Sequence, residues 1–205
     1  MFGIDDVLGG IIGGAIIDII VELAPKVFEA VCAAVKAFAE VISTAFGPET
    51  DVEELGDKAL QAEEDGITPE NFESFEEYVE AIDKFELDPE KSKSYTPEEK
   101  QSAGIGVMYN ASMDNLNVDE NMRTDFFELI SEKKDYFTPD RMVELSQACS
   151  DGLITIADIT GYMTDKLEDS RTIQNVRDVL VDIEQKINPE ISLEDAARFV
   201  RSYVG

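Results

Sequence analysis

The amino-acid sequence predicts an all-α fold, in which an apolar helical hairpin at the N-terminus precedes an acidic multi-helix domain. Apolar residues recur at steps of three and four along most of the chain, and few segments alternate with period two over any length. Thr-Pro-acid triplets mark helix starts, because the threonine caps the helix, the proline needs no N–H there, and the acid meets the positive helix end. Such triplets occupy residues 68–70, 96–98 and 138–140.

The first predicted helix, residues 6–23, is rich in glycine. Its glycines form two interleaved small-xxx-small pairs, which would create a flat strip where another backbone can approach closely. Four glycines cost a helix about 3–4 kcal/mol relative to alanine, so this helix needs packing partners or lipid to form. The strip and its neighbours are the first candidate packing residues: Gly9, Gly10, Ile12, Gly13, Gly14 and Ile16.

The second predicted helix, residues 26–46, begins after Pro25 and is apolar over most of its circumference. Its polar residues fall on one narrow stripe, so several of its sides must be buried. Three interpretations are open: a buried core or oligomer interface, a hairpin that lies in or inserts into a membrane, or simply core for the acidic helices that follow. The second set of candidate packing residues is Phe28, Val31, Val35 and Phe38.

A conventional transmembrane helix is not expected in this region. The longest uncharged run, residues 7–17, is interrupted by Asp18 and then by Glu22. A single membrane-spanning helix needs about 20 predominantly apolar residues. The start of the chain also carries Asp5 and Asp6 where a secretory signal peptide has basic residues, so no signal peptide is predicted and the compartment is not assigned.

The composition changes at Gly47–Asp51, and we predict a boundary there between residues 1–47 and residues 48–205. The second part is acidic and carries most of the net charge of −28. Capping signals and apolar stripes predict helices at residues 51–64, 69–86, 97–115, 119–134, 139–150, 156–168, 171–187 and 193–204. Residues 91–94 are predicted to form a long exposed loop.

The composition excludes several classes of function. The chain has no histidine, so neither histidine-dependent catalytic sites nor histidine metal sites can be built within it. Two cysteines cannot form a disulfide scaffold, and a net charge of −28 argues against nucleic-acid binding, which needs lysine and arginine at phosphates. Residues 9–14 are glycine-rich but lack the lysine of a phosphate-binding loop. We therefore predict no enzyme and no cofactor.

Residues 151–158 resemble the second half of an EF-hand calcium-binding loop. Asp151, Thr155 and Asp158 would supply the ligands, but Gln147 and Cys149 stand where the first half needs acids. Calcium takes six to eight oxygen ligands, so this is a weak metal candidate. The alternative is a Schellman turn at the end of one helix, followed by a capping box at the start of the next.

These patterns predict a non-enzymatic assembly or membrane-interacting protein. The glycine-rich hairpin would pack into a homo-oligomer, a larger assembly or a bilayer, as in virion or pore-type components, and the acidic helices would engage a partner. The first alternative is an acidic inhibitor or immunity-type protein that covers a basic partner surface, because excess charge favours steering and complementarity. A degenerate EF-hand-like calcium-binding protein is the second alternative. Adaptation to a salt-rich environment would also explain the acidity.

Overall fold

A computed structural model of the protein describes residues 16, 19–20 and 22–205. This part of the chain contains ten α-helices, one 3₁₀ helix at Pro69–Asn71 and no strand, so the predicted all-α class is confirmed. The α-helices are α1 (Pro25–Ile42), α2 (Val52–Glu64), α3 (Phe75–Asp83), α4 (Pro89–Ser92), α5 (Pro97–Asn115), α6 (Glu120–Glu132), α7 (Pro139–Ser150), α8 (Ile156–Met163), α9 (Ser170–Ile187) and α10 (Leu193–Arg201).

Helix α5 lies at the centre of the molecule. Every residue from Ser102 to Met113 is buried, because α1, α2 and α3 pack around it. The backbones of helices α2 and α5 lie close together at Gly56 and Gly104, where neither residue has a side chain to separate them. Close backbone approach is a principal use of glycine within helices. A small-residue contact therefore exists in the fold between these two helices.

Helix α1 shares the core of the acidic helices. It packs against α5, α6 and α7, while the stripe that contains Lys26 and Glu29 faces solvent. Packing against these three helices therefore accounts for the apolar sides of α1. The helix ends at Ile42 and not at residue 46, because Ser43 adopts an extended backbone. The first predicted helix, residues 6–23, lies almost entirely outside the described residues.

The predicted helix at residues 69–86 is divided in the structure. The 3₁₀ turn ends at Asn71, and α3 begins at Phe75 after its cap residue Ser74, whose hydroxyl accepts a hydrogen bond from the Glu77 backbone N–H at 3.3 Å. The predicted exposed loop at residues 91–94 is also wrong in part. Asp88 caps a short helix there, accepting a hydrogen bond from the Glu90 N–H at 2.8 Å.

Four of the helices end in Schellman motifs, which set the residues at which these helices stop. Gly66 and Gly152, each preceded by an aspartate, take the left-handed conformation after α2 and α7. Asn117 and Asp165 take the same conformation after α5 and α8. Because Asp165 ends α8, this helix stops at Met163 and does not reach residue 168.

Candidate functional site

The predicted packing residues divide into a buried group and a group that lies outside the described residues. Gly9, Gly10, Ile12, Gly13 and Gly14 belong to the second group, and the glycine strip stays a prediction. Val31, Val35 and Phe38 are buried, and the Phe38 ring packs 6.2 Å from the Phe126 ring of α6. Ile16 is buried and Phe28 is partly buried against the same core.

The EF-hand-like residues are engaged in local structure. The Thr155 hydroxyl accepts a hydrogen bond from the Asp158 N–H at 3.1 Å, and the Asp158 carboxylate accepts one from the Thr155 N–H at 3.0 Å. Asp151 accepts a hydrogen bond from the Gln147 side chain. This is the capping-box alternative. Among the described residues, no group of three or more acidic or cysteine side chains is arranged to hold a metal ion.

A buried polar network joins α2, α4 and α5. The Asp57 carboxylate is almost fully buried and accepts hydrogen bonds from Lys100 at 2.8 Å, from Gln61 at 2.9 Å and from the Ser92 hydroxyl. Burial alone would raise the pKa of Asp57, but the hydrogen bonds from Lys100, Ser92 and Gln61 outweigh it and hold the pKa below its ordinary value. Each carboxylate oxygen already has donors, so the network anchors α4 and is not available to a ligand.

A second buried ion pair fastens α7 to α9. Arg141 donates two hydrogen bonds to the Glu184 carboxylate, one of them 3.1 Å long, and a third to the Tyr136 carbonyl oxygen at 3.0 Å. The guanidinium group also lies over the rings of Tyr136 and Phe199, at 5.1 Å and 4.8 Å from their centroids. The bidentate pair holds α7 against α9, and the cation–π contact with Phe199 adds α10 to this junction.

Both thiols are protonated and partly buried. Burial raises the pKa of Cys32 and of Cys149 to about 12. Reactive cysteines have lowered pKa values, so these two side chains have the properties of structural thiols.

An acidic groove lies where the α1–α2 connection meets α2 and α3. It encloses about 400 Å³, and its floor is formed by the buried side chains of Phe46, Leu55 and Val79. Five acidic residues and two lysines line its sides: Glu49, Asp51, Glu54, Glu80, Asp83, Lys58 and Lys84. The groove therefore combines apolar contact area with an excess of negative charge.

The lysines of the acidic groove are already paired with neighbouring oxygens. Lys58 lies 3.1 Å from Glu54 and donates to the Asp83 carbonyl oxygen at 3.1 Å, while Lys84 lies 3.4 Å from Glu80. Within the described part of the chain, Glu49 and Asp83 have no cation at ion-pair distance. The unbalanced charge of the groove is therefore negative and faces solvent.

Hydrogen bonds hold one wall of the acidic groove in place. Lys36 of α1 donates to the Thr50 carbonyl oxygen at 3.0 Å, and the Thr50 hydroxyl accepts from the Gly47 N–H at 2.9 Å. Asp51 caps α2 by accepting hydrogen bonds from the N–H groups of Glu53 and Glu54. The groove therefore lies at the predicted boundary, residues 47–51. The change of composition predicts that boundary but not a binding site there.

A membrane-crossing helix needs a long apolar stretch with few charges, and none of the helices among the described residues offers one. No protein family, no curated protein and no solved structure matches this chain.

Proposed function

We propose that this chain is a non-enzymatic assembly protein, and that its acidic groove binds a basic segment of a partner protein. The observation that carries the proposal is the pairing of an apolar floor with an acidic rim at residues 45–58 and 79–84. A complementary segment would place an apolar side chain on Phe46, Leu55 and Val79, and lysine or arginine beside Glu49 and Asp83. The net charge of −28 would accelerate its encounter.

We propose that copies of the chain associate through the glycine strip of the first predicted helix. Val31, Val35 and Phe38 are covered by the chain's own helices, so an oligomer that used them would require the fold to open. Gly9, Gly10, Gly13 and Gly14 offer the other small-residue surface. A homo-oligomer and a membrane-embedded assembly both use such strips, and they remain the two alternatives for this segment.

An acidic inhibitor or immunity-type protein is the second candidate function, and the same groove supports it. Such a protein would cover a basic surface on its partner through the same residues. The two candidates differ in the oligomeric state of the protein without its partner. An assembly protein is then an oligomer, whereas the inhibitor is a monomer.

The proposal is tested by the binding of a defined basic probe. The probe is a fluorescein-labelled helical peptide with leucine on one face and lysine on the other, titrated into the full chain and followed by fluorescence anisotropy. The groove variant is Glu80→Lys with Asp83→Lys. The matched control, Glu128→Lys with Glu132→Lys, makes the same change of charge on the exposed face of α6.

We expect the groove variant to bind about tenfold more weakly, which corresponds to about 1.4 kcal/mol, and the control to change affinity only slightly. The association rate should also fall with added salt, because exposed charges are screened beyond about 8 Å at physiological ionic strength. Equal weakening in both variants would mean that the probe senses only total charge, and the groove would not be the site.

A further inference from the structure

A second groove, between α9 and α10, has the opposite character from the acidic groove. It encloses about 470 Å³ and is lined by three of the six arginines in the chain: Arg177, Arg198 and Arg201. Val181 and Ala197 form its apolar floor. In a chain with a net charge of −28, this concentration of positive charge is unusual.

The arginines of this second groove come from both helices and converge. Arg177 of α9 and Arg201 of α10 both line the groove. Burial raises the pKa of Tyr162, and the positive charges of these two arginines oppose that rise. Arg177 pairs with Asp178 at 2.9 Å, and Arg198 pairs with Glu194 at 3.0 Å. Within the described part of the chain, Arg201 has no ion-pair partner.

The rim of this groove also exposes an apolar side chain. Leu193, the first residue of α10, is 63% exposed, more than any other large apolar side chain of the described chain. Scattered exposed leucines need no explanation, but this one lines the groove together with the arginines. Apolar and arginine side chains around one concavity are typical of the anchoring part of a protein interface.

Helix stability explains only part of this arrangement. Arg198 and Arg201 lie in the last turn of α10, where positive charge favours the helix dipole, and Arg198 also pairs within its own helix. Neither effect requires an arginine from α9 to face the same groove. Neither accounts for the exposure of Leu193.

We propose that the groove between α9 and α10 docks an acidic helical segment of a partner protein, with an apolar side chain of that segment seated beside Leu193 and a carboxylate on Arg201. Charge complementarity identifies the occupant, because Arg201 is unpaired and a carboxylate matches the planar fork of a guanidinium group. Nucleic acid fits less well, since Asp178 and Glu194 also line the groove and would face a continuous row of phosphates. This docking groove is separate from the acidic groove.

The test uses a fluorescein-labelled helical peptide with leucine on one face and glutamate on the other, and a scrambled peptide of the same composition. Arg201→Glu removes the unpaired charge of the groove. Arg171→Glu is the matched control, since Arg171 is exposed, has no ion-pair partner in the described chain and lies near the start of α9 outside the groove. Leu193→Asp tests the apolar anchor.

We expect Arg201→Glu and Leu193→Asp each to weaken binding of the helical peptide by about fivefold or more, while Arg171→Glu stays within about twofold. The scrambled peptide should bind more weakly than the helical one. Absence of binding, equal affinity for both peptides, or equal loss in the Arg171 control would overturn the proposal.

Other occupants give different outcomes. Self-association of the unliganded chain that Arg201→Glu abolishes, seen by sedimentation velocity, would assign the groove to a second copy and overturn the proposed partner. Tighter binding of single-stranded DNA than of the helical peptide, lost in Arg201→Glu, would assign it to nucleic acid. Because the acidic groove is tested with a basic probe, failure there leaves this result unaffected.

Discussion

The close contact between α2 and α5 predicts that alanine in place of Gly56 destabilises the fold, although helix propensity alone favours alanine. Alanine is a better helix former than glycine by about 1 kcal/mol, so Gly56→Ala would stabilise an isolated α2. In the folded chain, however, a methyl group at Gly56 would overlap the Lys100 carbonyl oxygen and lie 2.7 Å from the Gly104 backbone nitrogen. The overlapping atoms belong to the backbone of the central helix, so they cannot be relieved by a change of rotamer.

Overpacking of a core typically costs about 1–3 kcal/mol, and contact with backbone belongs at the upper end of that range. After the gain in propensity, we expect Gly56→Ala to lower the free energy of unfolding by about 1–2 kcal/mol. Gly104→Ala should act similarly, because a methyl group there overlaps the Val52 carbonyl oxygen. The double variant should lose less than the two losses added, since one separation of the helices relieves both contacts.

The assay is urea unfolding followed by circular dichroism. Gly161→Ala is the matched control: it also lies within a helix, but its new methyl group meets only the flexible side chain of Leu167. We expect that control to change the free energy of unfolding by less than Gly56→Ala does. A Gly56→Ala variant as stable as the parent would refute the close backbone contact.

Three further predictions concern other regions. Glu184→Ala leaves Arg141 buried without its carboxylate and should cost about 3–5 kcal/mol in urea unfolding, whereas the double replacement by methionine at 141 and leucine at 184 should cost much less. Burial and the charge of Glu70 raise the pKa of Glu63 from 4.5 to about 7, so ionising Glu63 opposes folding and stability should fall as pH rises from about 4.5 to 7. The Glu63→Gln variant should flatten that part of a curve of melting temperature against pH and be the more stable chain above pH 7. Gly13→Leu should weaken self-association in sedimentation velocity if the glycine strip is a packing face, while the melting temperature of the acidic helices stays unchanged.

Much of the helical architecture could be predicted from local chemistry. Helices α5 and α7 have the predicted bounds because a Thr-Pro pair starts each of them and a left-handed residue follows each end. The division of residues 69–86 also had a local signal, since Ser74 and Glu77 have the spacing of a capping box. The apolar stripe continues on both sides of Ser74, and this periodicity favours one continuous helix over residues 69–86.

The grooves and the central contact could not be predicted, because they depend on residues that are distant in sequence. The acidic groove joins Glu49 and Asp83, and the α2–α5 contact joins Gly56 and Gly104. Four closely spaced glycines at residues 9–14 form a small-residue pattern within one segment, whereas Gly56 and Gly104 lie far apart in sequence and form no such pattern together. Periodicity shows which face of a helix is buried but not which helix covers it.

The proposal that the acidic groove receives a basic segment is tested most directly by amide chemical-shift mapping. The ¹⁵N-labelled full chain would be titrated with the leucine–lysine peptide while its backbone amide resonances are recorded. We predict that the shifts concentrate at residues 45–58 and 79–84, with Phe46, Leu55 and Val79 among the most affected. Shifts spread evenly over the acidic surface, shifts centred on α9 and α10, or no shifts at all would contradict the proposed function.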